Sequence, residues 1–148
     1  MSMQSWTECG YGIPLNSGDN IEAIKKFICE NSSIEGLPPE YQIPEDMKAG
    51  VMECDETFWI YVLLNVYTSS IVAAIINARE GTTLFRGYDA GEEPEQEEMI
   101  GVDPRYIWDL NEKDRTLTKE QITEILEKYA RMLGISAKPD FFNAEYYG

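Results

Sequence analysis

The longest apolar stretch of the chain runs from Thr57 to Ala78. No charge interrupts it: Asp55 and Glu56 bound it before, Arg79 and Glu80 after. Its length approaches that of a membrane span. Yet Asn65, Thr68, Ser69, Ser70 and Asn77 lie inside it, and no positive cluster flanks it. The stretch is therefore expected to be the buried centre of a water-soluble domain. Thr68-Ser69-Ser70 predicts a break, because hydroxyl side chains compete for backbone partners and cap new helices. One helix is expected from about Glu56 to Tyr67 and a second from about Ser70 to Arg79. Gly81 sits where a left-handed cap belongs. The β-branched content leaves a strand pair open for part of the run.

The remaining pattern is shorter and more polar. Residues 3–13 carry the β-formers Trp6, Tyr11 and Ile13, with Gly10 and Gly12 marking a bulge or a close backbone approach. Asp19 and Glu22 predict a capping box for a helix ending near Asn31. Ile21, Ile24, Phe27 and Ile28 would face inward there, with Lys25 and Lys26 outside. Residues 32–54 read as irregular, with one helical turn near Glu45 to Ala49. Thr82–Tyr88 and Met99–Trp108 read as two strands of a hairpin, with Pro104 marking an edge or bend. Thr118 and Gln121 form a second capping box. Its helix carries an apolar stripe of Ile122, Ile125, Leu126, Tyr129, Met132 and Leu133. Glu124–Lys128 and Glu127–Arg131 would pair on its wet face, and Gly134 would end it. A last strand is expected from Phe141 to Tyr147. The sum is one α+β domain over residues 1–148: about four strands in a mainly antiparallel sheet, packed against three to four helices on one face.

Charge changes the picture more than composition does. The net charge is −15, with 27 acids against 12 Lys and Arg. Such a chain repels nucleic acid and anionic membrane surfaces, so its natural partners are cations or basic proteins. The densest acidic segment is an expected exposed loop at 89–98. Asp89, Glu92, Glu93, Glu95, Glu97 and Glu98 are its candidate partner-binding residues, a row of carboxylates able to meet an Arg/Lys groove.

Catalytic chemistry finds little support. The absence of histidine removes Ser-His and Cys-His pairs and imidazole metal sites. There is no Gly-x-Ser-x-Gly, and no Walker loop. Cys9, Cys29 and Cys54 lack a Cys-x-x-Cys spacing and read as reduced cytosolic thiols. Asp109, Asn111 and Glu120 match three positions of a calcium loop, but Lys113 and Asp114 stand where a ligand and a glycine are required. Asp103 and Asp109, around Tyr106-Ile-Trp108, are the carboxylate pair a metal-dependent hydrolase would use. No catalytic residue, metal or cofactor is expected. No basic-then-apolar leader is seen, so no signal peptide is expected.

Gln4-Ser-Trp-Thr-Glu-Cys-Gly-Tyr-Gly12 and the stretch from Asp103-Pro-Arg-Tyr-Ile-Trp-Asp-Leu-Asn-Glu-Lys-Asp114 through Tyr147 resemble small acidic proteins of bacteria and their phages and mobile elements. The resemblance implies a genomic context and carries over no activity. Charge and exclusions together predict a cytoplasmic, non-enzymatic interaction protein, monomeric or homodimeric. Its partner would be a basic nucleic-acid-handling protein, inhibited as anti-CRISPR, anti-restriction or immunity proteins inhibit theirs. An assembly protein of a mobile element is the structural alternative.

Overall fold

The computed structural model describes residues 5–15, 20–54, 58, 68–90, 97–103 and 117–147. Its four strands are β1 (Ser5–Pro14), β2 (Arg86–Ala90), β3 (Glu97–Val102) and β4 (Asp140–Tyr147). They form one antiparallel sheet in the order β2-β3-β1-β4. The helices are α1 (Ile21–Asn31), α2 (Lys48–Glu53), α3 (Thr68–Glu80) and α4 (Lys119–Met132). Two 3-10 turns, Pro39–Tyr41 and Glu45–Met47, precede α2. The fold is α+β, as the pattern predicts. No helix among the described residues is long and apolar enough to cross a membrane.

Period-two alternation places Tyr11 and Ile13 of β1, and Leu15 just after it, on one face, beside Ile100 and Val102 of β3. Against that face pack Ile24, Phe27 and Ile28 of α1, the isoleucines of α3, and Ile122, Leu126 and Tyr129 of α4. Helix α3 resolves the helix-or-strand ambiguity of its stretch. A β-branched residue costs a helix at most about 0.7 kcal/mol. Burying an isoleucine side chain contributes about 1.5–3 kcal/mol, and Ile71, Ile75 and Ile76 are all 0% exposed. Burial decides, and the helix forms. The companion helix expected at 56–67 lies outside the described residues, apart from buried Phe58.

The opposite face carries a smaller cluster of Tyr88, Met99 and Phe142. In a flat sheet β2 and β4 would lie about 14 Å apart, three strand spacings. Instead Tyr88 and Phe142 meet edge to face, with ring centroids 4.9 Å apart. The sheet therefore curls, bringing its outer strands together over this face. Gly10 and Gly12 permit the curl. A Cβ on Gly10 would sit inside the Phe142 ring, and one on Gly12 would overlap the Ile100 carbonyl. The close approach expected at these glycines is thus present.

Several local expectations yield to tertiary partners. Asn20, and not Asp19, precedes α1, and it makes no side-chain cap. Its Nδ2 instead donates to the Leu133 carbonyl at 2.6 Å, tying the start of α1 to the end of α4. Lys25 is buried at 2% exposure, contrary to its expected outward position, with Nζ 3.7 Å from Glu22. Its aliphatic stem lets it lie along the core. The helical turn expected at 45–49 is present and continues to Glu53. The strand expected from Thr82 begins only at Arg86. The strand expected from Met99 starts earlier, at Glu97, and 104–108 lie outside the described residues. The Thr118–Gln121 box forms in both directions, and Gly134 ends α4 with φ 71°.

Candidate interaction surface

Strands β2 and β3 form the expected hairpin. Its register pairs Asp89 with Glu98 and Ala90 with Glu97. The acidic segment is therefore partly strand: Asp89 closes β2, Glu97 and Glu98 open β3, and residues 91–96 connect them. Glu92, Glu93 and Glu95 lie outside the described residues. Asp89 and Glu97 are placed by their backbone at the two sides of the hairpin end.

Glu98 has a different task from its neighbours. Its Oε1 accepts from the Ser69 backbone N–H at 2.9 Å and from Ser69 Oγ at 3.0 Å. The first amides of a helix lack intrahelical acceptors, and a carboxylate there also meets the positive end of the helix dipole. Glu98 thus fastens the hairpin to α3, and its carboxylate is directed at the protein itself. Of the acidic residues expected to bind a partner, Glu98 is therefore committed to the fold.

A second polar assembly joins the other end of α3 to α1 and α4. Glu80 receives Lys128 Nζ on both oxygens, at 3.0 and 2.9 Å, and the Tyr129 hydroxyl at 2.8 Å. Lys128 therefore pairs across helices with Glu80, and not with Glu124 as spacing predicts. Arg79 donates to Asn31 Oδ1 at 3.0 Å and lies over the Tyr129 ring. Burial alone would raise the Glu80 carboxyl pKa. Hydrogen bonds from Lys128 and Tyr129, with the charges of Lys128 and Arg79, outweigh burial and lower it. Burial pushes the Tyr129 phenol well up, and the hydrogen bond to Glu80 and its charge push the same way. Sequence reading missed this assembly, because its members are 48 and 49 residues apart. One signal was available: a tyrosine hydroxyl on an apolar stripe requires a partner.

A groove of about 570 Å³ runs beside α3. Ser70, Ala73, Ala74, Asn77 and Ala78 form its floor, spaced three and four apart on one helix face. Gly36, Pro38 and Tyr41 make one wall, and the segment from Thr82 to Gly87 the other.

Among the described residues no group of three or more Cys, Asp or Glu is placed to hold a metal ion. Asp109 and Asn111 of the imperfect calcium pattern lie outside the described residues, and Glu120 is exposed on the first turn of α4. Of the hydrolase pair, only Asp103 is described. Cys9 is exposed and bonds Asn143 Oδ1 at 3.0 Å. Burial raises the Cys29 thiol pKa, Glu30 adds to this, and Lys25 opposes it. The chain matches no family model, no curated protein and no solved structure.

Proposed function

We propose that this chain is a soluble, cytoplasmic, non-enzymatic interaction protein that binds a basic nucleic-acid-handling protein and blocks its nucleic-acid surface. The observation that supports it is the β2–β3 register. Pairing of Asp89 with Glu98 and of Ala90 with Glu97 draws the acidic segment together at one end of a hairpin. In a chain of net charge −15, that end concentrates negative charge. A focused negative field speeds encounter with a cationic surface and excludes nucleic acid from the chain itself. The context implied by the resemblance, bacteria and their mobile elements, suits an inhibitor or antidote.

The test captures the partner from host lysate, identifies it by mass spectrometry, and measures binding of the purified pair. Glu92, Glu93, Glu95 and Glu97 are changed together to Gln, leaving Glu98 to hold α3. Association is expected to slow at least about tenfold at low salt, and duplex DNA or RNA is expected to compete. An affinity indifferent to salt, to the fourfold change and to nucleic acid overturns the proposal.

A further inference from the structure

The chain entering β2 has its outer edge closed at one residue and open at the next that faces the same way. At Phe85 the side-chain amide of Asn77 closes it. Its Nδ2 donates to the Phe85 carbonyl at 2.8 Å, and its Oδ1 accepts from the Phe85 N–H at 3.0 Å. One planar amide thus takes both backbone groups of one residue, as a paired strand would. Both groups of Phe85 therefore point away from β3.

Backbone groups alternate sides along a strand, so Gly87 and Asp89 point the same way as Phe85. An independent bond agrees. The Glu98 carbonyl accepts from the Leu15 N–H at 2.9 Å, which turns Glu98 and Ile100 toward β1. The Asp89–Glu98 and Gly87–Ile100 rungs then carry no hydrogen bonds. Strand β2 is also the last of the sheet on this side. The N–H and C=O of Gly87 and Asp89 accordingly face outward, and among the described residues no strand pairs with them.

At Gly87 this edge opens into the groove beside α3. No β4 residue lines the groove; Tyr88 and Phe142 bring β2 and β4 together over the opposite face of the sheet. Residues paired across strands share a face. A residue added opposite Gly87 would therefore point its side chain to the α3 side, where Ser70, Ala73 and Ala74 leave space. In the other direction the edge leads past Asp89 to the hairpin end, where the acidic segment is gathered. That charge selects the occupant. A second copy of the chain would bring −15 against −15, whereas a cationic segment is attracted.

We propose that the partner docks by adding one short antiparallel strand to the outer edge of β2. The added segment is extended and basic, with an apolar residue opposite Gly87 and Lys or Arg opposite Asp89 and beyond. Asn77 sets the register, because it ends the open edge at Phe85. Backbone pairing gives the segment its direction, the groove selects one side chain, and charge brings it in. This inference rests on the reading of a basic partner and names the segment that is held and how.

The probe is an end-blocked peptide, Lys-Thr-Lys-Thr-Val, added to 15N-labelled protein. The Gly87 and Asp89 amide signals are expected to shift saturably. Replacing both lysines by Gln should raise the concentration needed at least about tenfold at low salt, and less at high salt. N-methylation of the valine, whose N–H would face Gly87, should abolish the shifts. N-methylation of the preceding threonine, whose N–H would face away, should leave them in place. Ala74→Phe should weaken the peptide by filling the groove; the two methylated peptides test the same geometry on the unaltered protein if that variant does not fold. No saturable shift at Gly87, or equal effects of the two methyl groups, overturns the strand. Equal binding of the Lys and Gln peptides overturns the basic occupant, as does slowed exchange of these two amides that grows with the concentration of the protein alone, the mark of a second copy. A captured partner that binds with salt dependence yet leaves the Gly87 signal unmoved overturns this surface and leaves the basic-partner reading standing.

Discussion

At the N-terminal end of α3, Glu98 reaches across from β3 to the Ser69 amide. At the C-terminal end, Glu80 belongs to the helix itself and faces Lys128 and Tyr129 of α4. The first carboxylate meets the favourable end of the helix dipole, the second the unfavourable end, each effect being about 0.3–1 kcal/mol. Glu80 nevertheless holds its place, because it accepts three hydrogen bonds and hydrogen bonds to charged groups contribute about 1.5–3 kcal/mol each. It also satisfies the hydroxyl of Tyr129, a residue with no exposed surface. A carboxylate placed by tertiary partners can thus override a local rule, whereas one that agrees with the rule needs fewer partners.

The largest loss is expected at Glu80. Glu80→Ala strands the Tyr129 hydroxyl and removes the Lys128 pair. Lys128 is itself 45% exposed and can turn to water, which moderates the loss. Denaturant unfolding should report a loss of about 2–3 kcal/mol. A loss under about 0.5 kcal/mol would mean that the assembly does not hold α3 to α4.

Glu98→Ala should cost less, about 1 kcal/mol, since it removes one cap and one dipole contact. Glu98→Gln should recover part of that, because an amide oxygen still accepts from Ser69. Equal losses for the two variants would place the effect in the charge and not in the hydrogen bonds. Thr118→Ala removes a cap formed entirely within α4 and is expected to match Glu98→Ala at about 1 kcal/mol.

pH sharpens the contrast further. The Glu80 pKa is lowered in the folded chain, so its contribution is complete above the ordinary glutamate range and is lost as pH falls below it. The Tyr129 pKa is raised, so its contribution is complete below the ordinary tyrosine value of about 10 and is lost as pH rises beyond it. Thermal melts across pH should therefore show a shallower acid limb in Glu80→Gln and a shallower alkaline limb in Tyr129→Phe. An acid limb unchanged by Glu80→Gln would assign acid unfolding to other carboxylates.

The smallest effect is expected from the fourfold change of Glu92, Glu93, Glu95 and Glu97 to Gln. It takes the net charge from −15 to −11 and relieves self-repulsion. Tm at low salt should rise by no more than a few degrees, and the difference should vanish at high salt as screening removes the repulsion. A large fall in Tm would show that these acids, like Glu98, hold the fold.

Sequence alone determined the features whose physics is local. The β-formers Trp6, Tyr11 and Ile13 specified the first strand, and Thr118 with Gln121 specified a helix start down to the two reciprocal bonds. The Gly134 stop, the hairpin around the acidic segment and the α+β class were legible for the same reason: neighbours a few residues apart make those choices. Partners far apart in the chain were not legible. Asn20 heads α1 and bonds the Leu133 carbonyl where a capping box of Asp19 and Glu22 was expected, Lys128 left Glu124 for Glu80, and Glu98 left the acidic row for Ser69. In each case two local options differed by about 1 kcal/mol or less, and burial of a helix against its neighbours decided between them. The groove beside α3 arose in the same way. The sequence shows a helix of small and apolar residues, but only packing against the segment from Thr82 to Gly87 and against Gly36, Pro38 and Tyr41 makes a groove beside its alanine face.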